Sequence, residues 1–279
     1  MSVRRIVGTK DILTIVDLAG RRPAARFAAE LAAEAGAHVA GLVPAPAVAV
    51  AAVVGGAAAM DLMAELVSEA EDSGGAALAA FEEIARQAGV PTEVGRYRFV
   101  DGDGVDLVAR ARLADLAVVG QEDPDAPEPA RQAAIEALLF DAGVPVLAVP
   151  YISEGRFAAR RVAVAWDGSR PAARAVRAAL PLLAVAEAVT VVVVDEGQHD
   201  ELGPDLALYL ARHGLGVTVR RTPSVDGDIG AALLNEAADA GTEMMVMGAY
   251  GHSRIREFVL GGATRTLMEQ MTLPTLMAH

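Results

Sequence analysis

Four short segments occur twice in this chain, in the same order and more than a hundred residues apart. Arg22-Pro23-Ala24-Ala25-Arg26 returns as Arg170-Pro171-Ala172-Ala173-Arg174, and Val100-Asp101-Gly102-Asp103 returns as Val225-Asp226-Gly227-Asp228. Leu116-Ala117-Val118-Val119-Gly120 matches Met244-Met245-Val246-Met247-Gly248, and Val144-Pro145-Val146-Leu147-Ala148 matches Leu273-Pro274-Thr275-Leu276-Met277. Order preserved over that distance marks a duplicated domain, so the chain has to fold as two copies of one architecture. Each RPAAR segment follows an apolar run closed by an aspartate, Asp17 or Asp167. The junction falls near Tyr151 to Ala159, giving one domain over 1–153 and a second over 157–279. A chain of 279 residues suits two domains, each able to bury a core without disulfides or metals.

Within the second copy, short apolar or β-branched runs alternate with longer helical ones. Val162–Trp166, Val189–Val194, Leu215–Arg220, Met244–Met247 and Thr275–Ala278 read as strands. Pro171 opens a helix to about Leu183 with Ser169 as its N-cap. Asp205–His213 and Asp228–Ala240 read as helices ended by Gly214 and Gly241, and Arg265–Met271 as a fourth. This alternation predicts an α/β fold, two tandem doubly wound domains with a five-stranded parallel sheet each and helices on both faces. The last strands, Val144–Val149 and Leu273–Ala278, read as apolar sheet edges that need a partner. In a tandem chain the halves can supply each other, as a pseudo-twofold pair that is also able to dimerise.

Composition narrows the function. The net charge of −13 repels polyphosphate surfaces and argues against nucleic acid or anionic membrane as a partner. A phosphate-bearing ligand must therefore be held by local dipoles. With no cysteine, zinc-thiolate sites, iron–sulfur clusters and cysteine nucleophiles are excluded. The amino-terminal residues lack the pattern of a secretory signal, so the expected location is cytoplasmic. Ala40–Met60 is apolar enough to be weighed as a membrane span, but Pro44, Pro46, Gly55 and Gly56 interrupt it, and it is read as a mobile loop or lid.

In a doubly wound sheet, ligands sit beyond the carboxyl ends of the strands. After Met247 comes Gly248-Ala249-Tyr250-Gly251, then nine residues, then Gly261-Gly262-Ala263-Thr264 and a helix. Glycines let backbone approach a ligand closely, and amides at a helix start attract anions. The same glycines also serve tight turns and close helix-to-strand packing, and spacing alone leaves both readings open.

Together with Asp167-Gly168-Ser169, the spacing Gly248-x-x-Gly251-x9-Gly261-Gly262 resembles the universal stress protein family, closely in the second copy and more loosely in the first. The resemblance implies a nucleotide-binding, Rossmann-like domain with an ATP or AMP site, with Mg²⁺ as a companion ion. By motif, Asp167 would face the adenosine and Val193 would line the adenine. Met247, Gly248 and Gly251 would follow the ribose and phosphates, and Gly261, Gly262, Ala263 and Thr264 would offer amides, Thr264 a hydroxyl as well. Gly262 stands where nucleotide-binding members carry Ser or Thr, so one hydroxyl contact is missing. Trp166, where a smaller residue is usual, either stacks on an adenine or fills its place.

The first copy departs further. After Gly120 come Gln121-Glu122-Asp123-Pro124-Asp125-Ala126-Pro127-Glu128-Pro129, with three prolines, four carboxylates and no second glycine. Carboxylates repel phosphate and each proline removes an amide donor, so this half is expected to hold no triphosphate. Asp17 there reads as a strand end that caps the following turn.

Other candidates reduce to plainer roles. His252 and Arg254, with Arg256 near, either neutralise phosphate charge or form a solvated loop face. Asp226 and Asp228, like Asp101 and Asp103, read as turn and N-cap residues before they read as metal ligands. Met244 and Met245 are core. No Ser-His-Asp arrangement is identifiable around Ser169 or Ser253. The expectation is an adenine-nucleotide-binding stress-response sensor or regulatory module, compatible with slow hydrolysis or self-phosphorylation at Thr264 or Ser253. The alternatives are a non-nucleotide scaffold acting through protein partners, or a nucleotide-hydrolysing or nucleotide-transferring enzyme.

Overall fold

The computed structural model describes residues 5–46, 56–98, 104–128, 130–195, 202–249 and 262–279. The first half runs β1 (Asp11–Ile15), α1 (Pro23–Ala35), β2 (His38–Pro44), α2 (Gly56–Ala88), β3 (Thr92–Tyr97), α3 (Val105–Ala111), β4 (Leu116–Gly120), α4 (Arg131–Glu136) and β5 (Val146–Val149). A π-helical turn, Ala137–Ala142, extends α4. The second half repeats this order as β6 (Arg161–Ala165), α5 (Arg170–Leu183), β7 (Ala188–Asp195), α6 (Pro204–Arg212), β8 (Val217–Pro223), α7 (Ile229–Asp239), β9 (Met244–Gly248), α8 (Gly262–Gln270) and β10 (Thr275–Ala278).

The ten strands form one sheet in the order β3-β2-β1-β4-β5-β10-β9-β6-β7-β8. Each half contributes a parallel 3-2-1-4-5 sheet, and the two apolar edges fuse. β5 and β10 pair antiparallel, with Leu147 opposite Leu276. The carboxyl ends of the two sets of strands therefore point in opposite directions. The free edges, β3 and β8, carry polar side chains such as Glu93, Arg96, Arg220 and Arg221, which discourage further pairing.

Strand alternation builds a core layer on each face. One packs Phe27, Leu31, Phe81, Val176, Ala179, Leu206 and Leu210, so α1, α2, α5 and α6 cover that face. The other packs Leu107, Ile135, Leu233 and Leu267, from α3, α4, α7 and α8, with Leu138 of the π-helical turn and Met271 just after α8. Corresponding carboxylates brace both copies at the amino ends of their strands. Asp115 Oδ2 accepts from the amides of Lys10 and Asp11 at 2.7 and 3.1 Å. Glu243 Oε2 accepts from those of Arg160 and Arg161 at 2.8 and 3.1 Å.

The apolar segment near residue 40 differs from the loop or lid expected. Its start belongs to β2 and Gly56–Met60 opens the 33-residue α2; residues 47–55 lie outside the described set. Among the described residues no helix is long and apolar enough to cross a membrane. The halves are joined by residues 151–160, which pack on α1. The Phe157 amide donates to Glu30 Oε2 at 2.9 Å, and the Phe27 and Phe157 rings meet edge to face at 5.5 Å.

Candidate functional site

The second half opens its site where β6 gives way to α5. Ser169 N–H donates to Asp167 Oδ1 at 2.9 Å, and Ser169 Oγ accepts from Ala172 N at 3.2 Å as the N-cap of α5. Gly168 takes φ 74° between them, which a side chain would strain. This local chemistry turns the chain sharply and leaves Asp167 exposed beyond the strand.

Gly248 ends β9 beside it. A Cβ there would lie 2.4 Å from the Ala172 amide nitrogen, so the first turn of α5 can press on the strand end only because the residue is glycine. Met247 is buried against Leu267, on the α8 side of the sheet. Antiparallel to its neighbouring strands, α8 brings Gly262 to the same rim. Gly262 is exposed, and a Cβ on it would meet nothing within 4 Å. Ala263 is half-buried and Thr264 is buried. Asp228 links α7 to α8: its Oδ1 accepts from Ala231 N at 3.1 Å and its Oδ2 from Thr266 Oγ1 at 3.0 Å. Asp228 is thus the N-cap of α7, and among the described residues no group of three or more His, Asp and Glu could hold a metal ion.

Val193 and Trp166 lie on one face of the sheet. Val193 shares the α5/α6 layer with Val191 and is buried there. Trp166 follows Val162 and Val164 onto the same face. Its indole lines a hollow of about 200 Å³ with Val176, Arg177, Leu206 and Tyr209, on the opposite side of the sheet from Met247 and α8. Gly251, His252, Ser253, Arg254, Arg256 and Gly261 lie outside the described residues, as do Asp101 and Asp103.

The corresponding place in the first half is filled. Asp17 follows β1 as Asp167 follows β6, but it is 8% exposed and pairs with Arg131, which is 5% exposed, at 2.8 Å. Arg131 also reaches Glu128 at 2.8 Å and Glu122 at 3.3 Å. Gly120, the counterpart of Gly248, has no room for a side chain, since a Cβ would lie 2.6 Å from Asp17 and 2.8 Å from Arg131. Burial raises the Asp17 carboxyl above its ordinary range against the opposing pull of Arg131, and it raises Glu128 in the same way. Asp17 thus serves as counterion to Arg131. The sequence reading missed Arg131, although a lone arginine just past a run of carboxylates was visible.

Between the halves, Gln121 is 4% exposed and its Nε2 donates to Met268 O and Glu269 O at 2.9 and 3.1 Å. The first half thereby caps the carboxyl end of the helix whose amino end borders the second-half site.

The model of the Universal stress protein family matches residues 158–279. Among solved structures, a universal stress protein from Archaeoglobus fulgidus DSM 4304 aligns over 95% of this chain and 94% of its own, with TM-score 0.69 at 17% identity. A functionally unknown protein from Pseudomonas aeruginosa PAO1 aligns over 96% and 92%, with TM-score 0.58 at 16% identity. At these identities the likeness is one of fold, and it spans both halves. No curated protein matches the chain. Residues 158–279 therefore match the universal stress protein family, and the likeness of fold to solved structures extends over both halves of the chain.

Proposed function

We propose that the chain binds an adenine nucleotide, ATP or AMP, at the carboxyl ends of β6 and β9, and that it works as a stress-response regulatory module and not as a turnover enzyme. One observation carries the reading: Asp167 stands exposed at the strand ends where the first turn of α8 begins with an exposed Gly262. Asp167 is suited to a ribose or adenine donor, and the amides opening α8 to an anion, aided by the helix dipole. The indole of Trp166 lies across the sheet from α8. Mg²⁺ enters with the nucleotide's phosphates.

Calorimetry with ATP and Mg²⁺ tests the reading. The folded protein is expected to bind, with Gly261→Asp abolishing binding by placing a carboxylate at the phosphates. A folded wild type that binds neither ATP nor AMP removes the proposal and leaves a scaffold acting through its surfaces. Steady-state phosphate release above a few per minute would make it an enzyme.

A further inference from the structure

Arg131 opens α4 as Gly262 opens α8, so a buried guanidinium stands in the first half at the turn corresponding to the anion site proposed for the second. What it holds most closely from its own loop is Glu128, whose Oε1 lies 2.8 Å from Arg131 Nη2. The same oxygen accepts from the Leu18 amide at 2.9 Å, directly after the strand-end aspartate. A carboxylate held by a buried cation and a strand-end amide is bound as a free anion would be, differing only in its tether. That tether is stiff, because Glu128 stands between Pro127 and Pro129.

We infer that the first half retains an oxyanion-binding site at the carboxyl ends of β1 and β4, and that the chain fills it with its own Glu128 carboxylate. Asp17 is the fixed counterion, wedged against Gly120, and Glu122 is the outer one, its side chain 44% exposed against 16% for Glu128. Arg22, ahead of α1, acts on Asp17, and Tyr97, from β3, feels Glu128 and Arg131. The tether gives Glu128 an effective concentration in the millimolar range or above, which shuts out small anions at ordinary levels. This site stands whether or not the second half takes a nucleotide.

Glu128→Ala removes the tethered carboxylate and leaves Arg131 and the Leu18 amide to an external one. Acetate is the probe. The variant is expected to melt about 2–4 °C higher in 100 mM sodium acetate than in 100 mM sodium chloride at pH 7, saturably. The wild type, and Glu128→Gln whose amide still plugs the site, should gain less than about 1 °C. Exchange of the Leu18 amide in Glu128→Ala should slow at least fivefold on adding acetate. Equal melting gains in all three proteins, or an unchanged Leu18 amide, overturn the inference. If Glu128→Ala fails to fold in chloride, recovery of the native circular dichroism in acetate upholds it and failure to recover overturns it.

Discussion

Asp17 and Asp167 close the same strand in two copies of one domain, yet one is buried in an ion cluster and the other stands at an open rim. The sheet order, the faces that the helices cover and the bracing carboxylates Asp115 and Glu243 are alike in both, although α2 has 33 residues and its counterpart α6 nine. The difference that bears on the two aspartates is in the sequence between the fourth strand and the last helix of each half. One copy there carries Arg131 with acidic residues and prolines, and the other carries glycines. Duplication has let one strand end turn inward as an ion cluster while the other keeps its aspartate exposed, where we propose a nucleotide binds.

The sharpest way to break this contrast is Arg131→Met, which strands Asp17 and Glu128 without their cation. It is expected to cost about 3–5 kcal/mol in urea unfolding at pH 7. Arg265→Met, which removes an exposed i,i+4 pair with Glu269, should cost less than about 1 kcal/mol. Equal midpoints for the two variants would mean that the first-half cluster is not structural.

The glycines come next. Gly248→Ala forces a methyl group onto the α5 backbone and should destabilise by about 1–3 kcal/mol. Gly262→Ser projects into open space, leaves the melting temperature near wild type, and adds a hydroxyl donor that tightens ATP binding up to about tenfold by calorimetry. If Gly262→Ser destabilises as much as Gly248→Ala, the rim is not open.

Exchanging the aspartates separates the halves by function. Asp167→Ala should weaken ATP about tenfold with little change in melting, the loss expected for one hydrogen bond to a ligand. Asp17→Ala should lower the melting temperature and leave ATP affinity unchanged. The opposite pattern would move the nucleotide to the first half.

The smallest effect is in pH dependence, where the halves have opposite signs. Asp17 and Glu128 have raised pKa values, so between the usual carboxylate range and those values the folded state holds more protons than the unfolded one. Their contribution is present at low pH and is lost as pH rises through the raised values. Glu243 is lowered: burial opposes this, but the amides and guanidinium groups of Arg161 and Arg160 prevail, so its contribution is present above the usual Glu pKa and lost on acidification. Denaturation from pH 3 to 7 should show Glu128→Gln reducing the first slope, with the Asp17 share remaining, and Glu243→Gln reducing the second.

The frame of the fold was legible because its signals are local. Pro171 and Ser169 start α5 by chemistry within three residues, and the same holds for Asp228 and α7. The inner strands of the second half, β6, β7, β9 and β10, ended within about three residues of their apolar runs because a buried parallel strand is a nearly continuous apolar stretch. The first-half cluster was not legible, since the pair of Asp17 and Arg131 joins residues brought together only by the β1–β4 crossover. The carboxylates were read as repelling phosphate, without the cation that gathers them. Strand parity could have placed Trp166 and Val193, because both share a face with Val162, Val164 and Val191.

The fused sheet also sets a schedule for synthesis. β5 leaves the ribosome more than a hundred residues ahead of β10, the strand that completes it. At about 5–20 residues per second, its apolar edge goes unclaimed for several seconds or longer. In that interval neighbouring nascent chains on one message can offer each other the same strand, so crowded translation favours exchanged assemblies, and slower initiation favours a self-contained molecule.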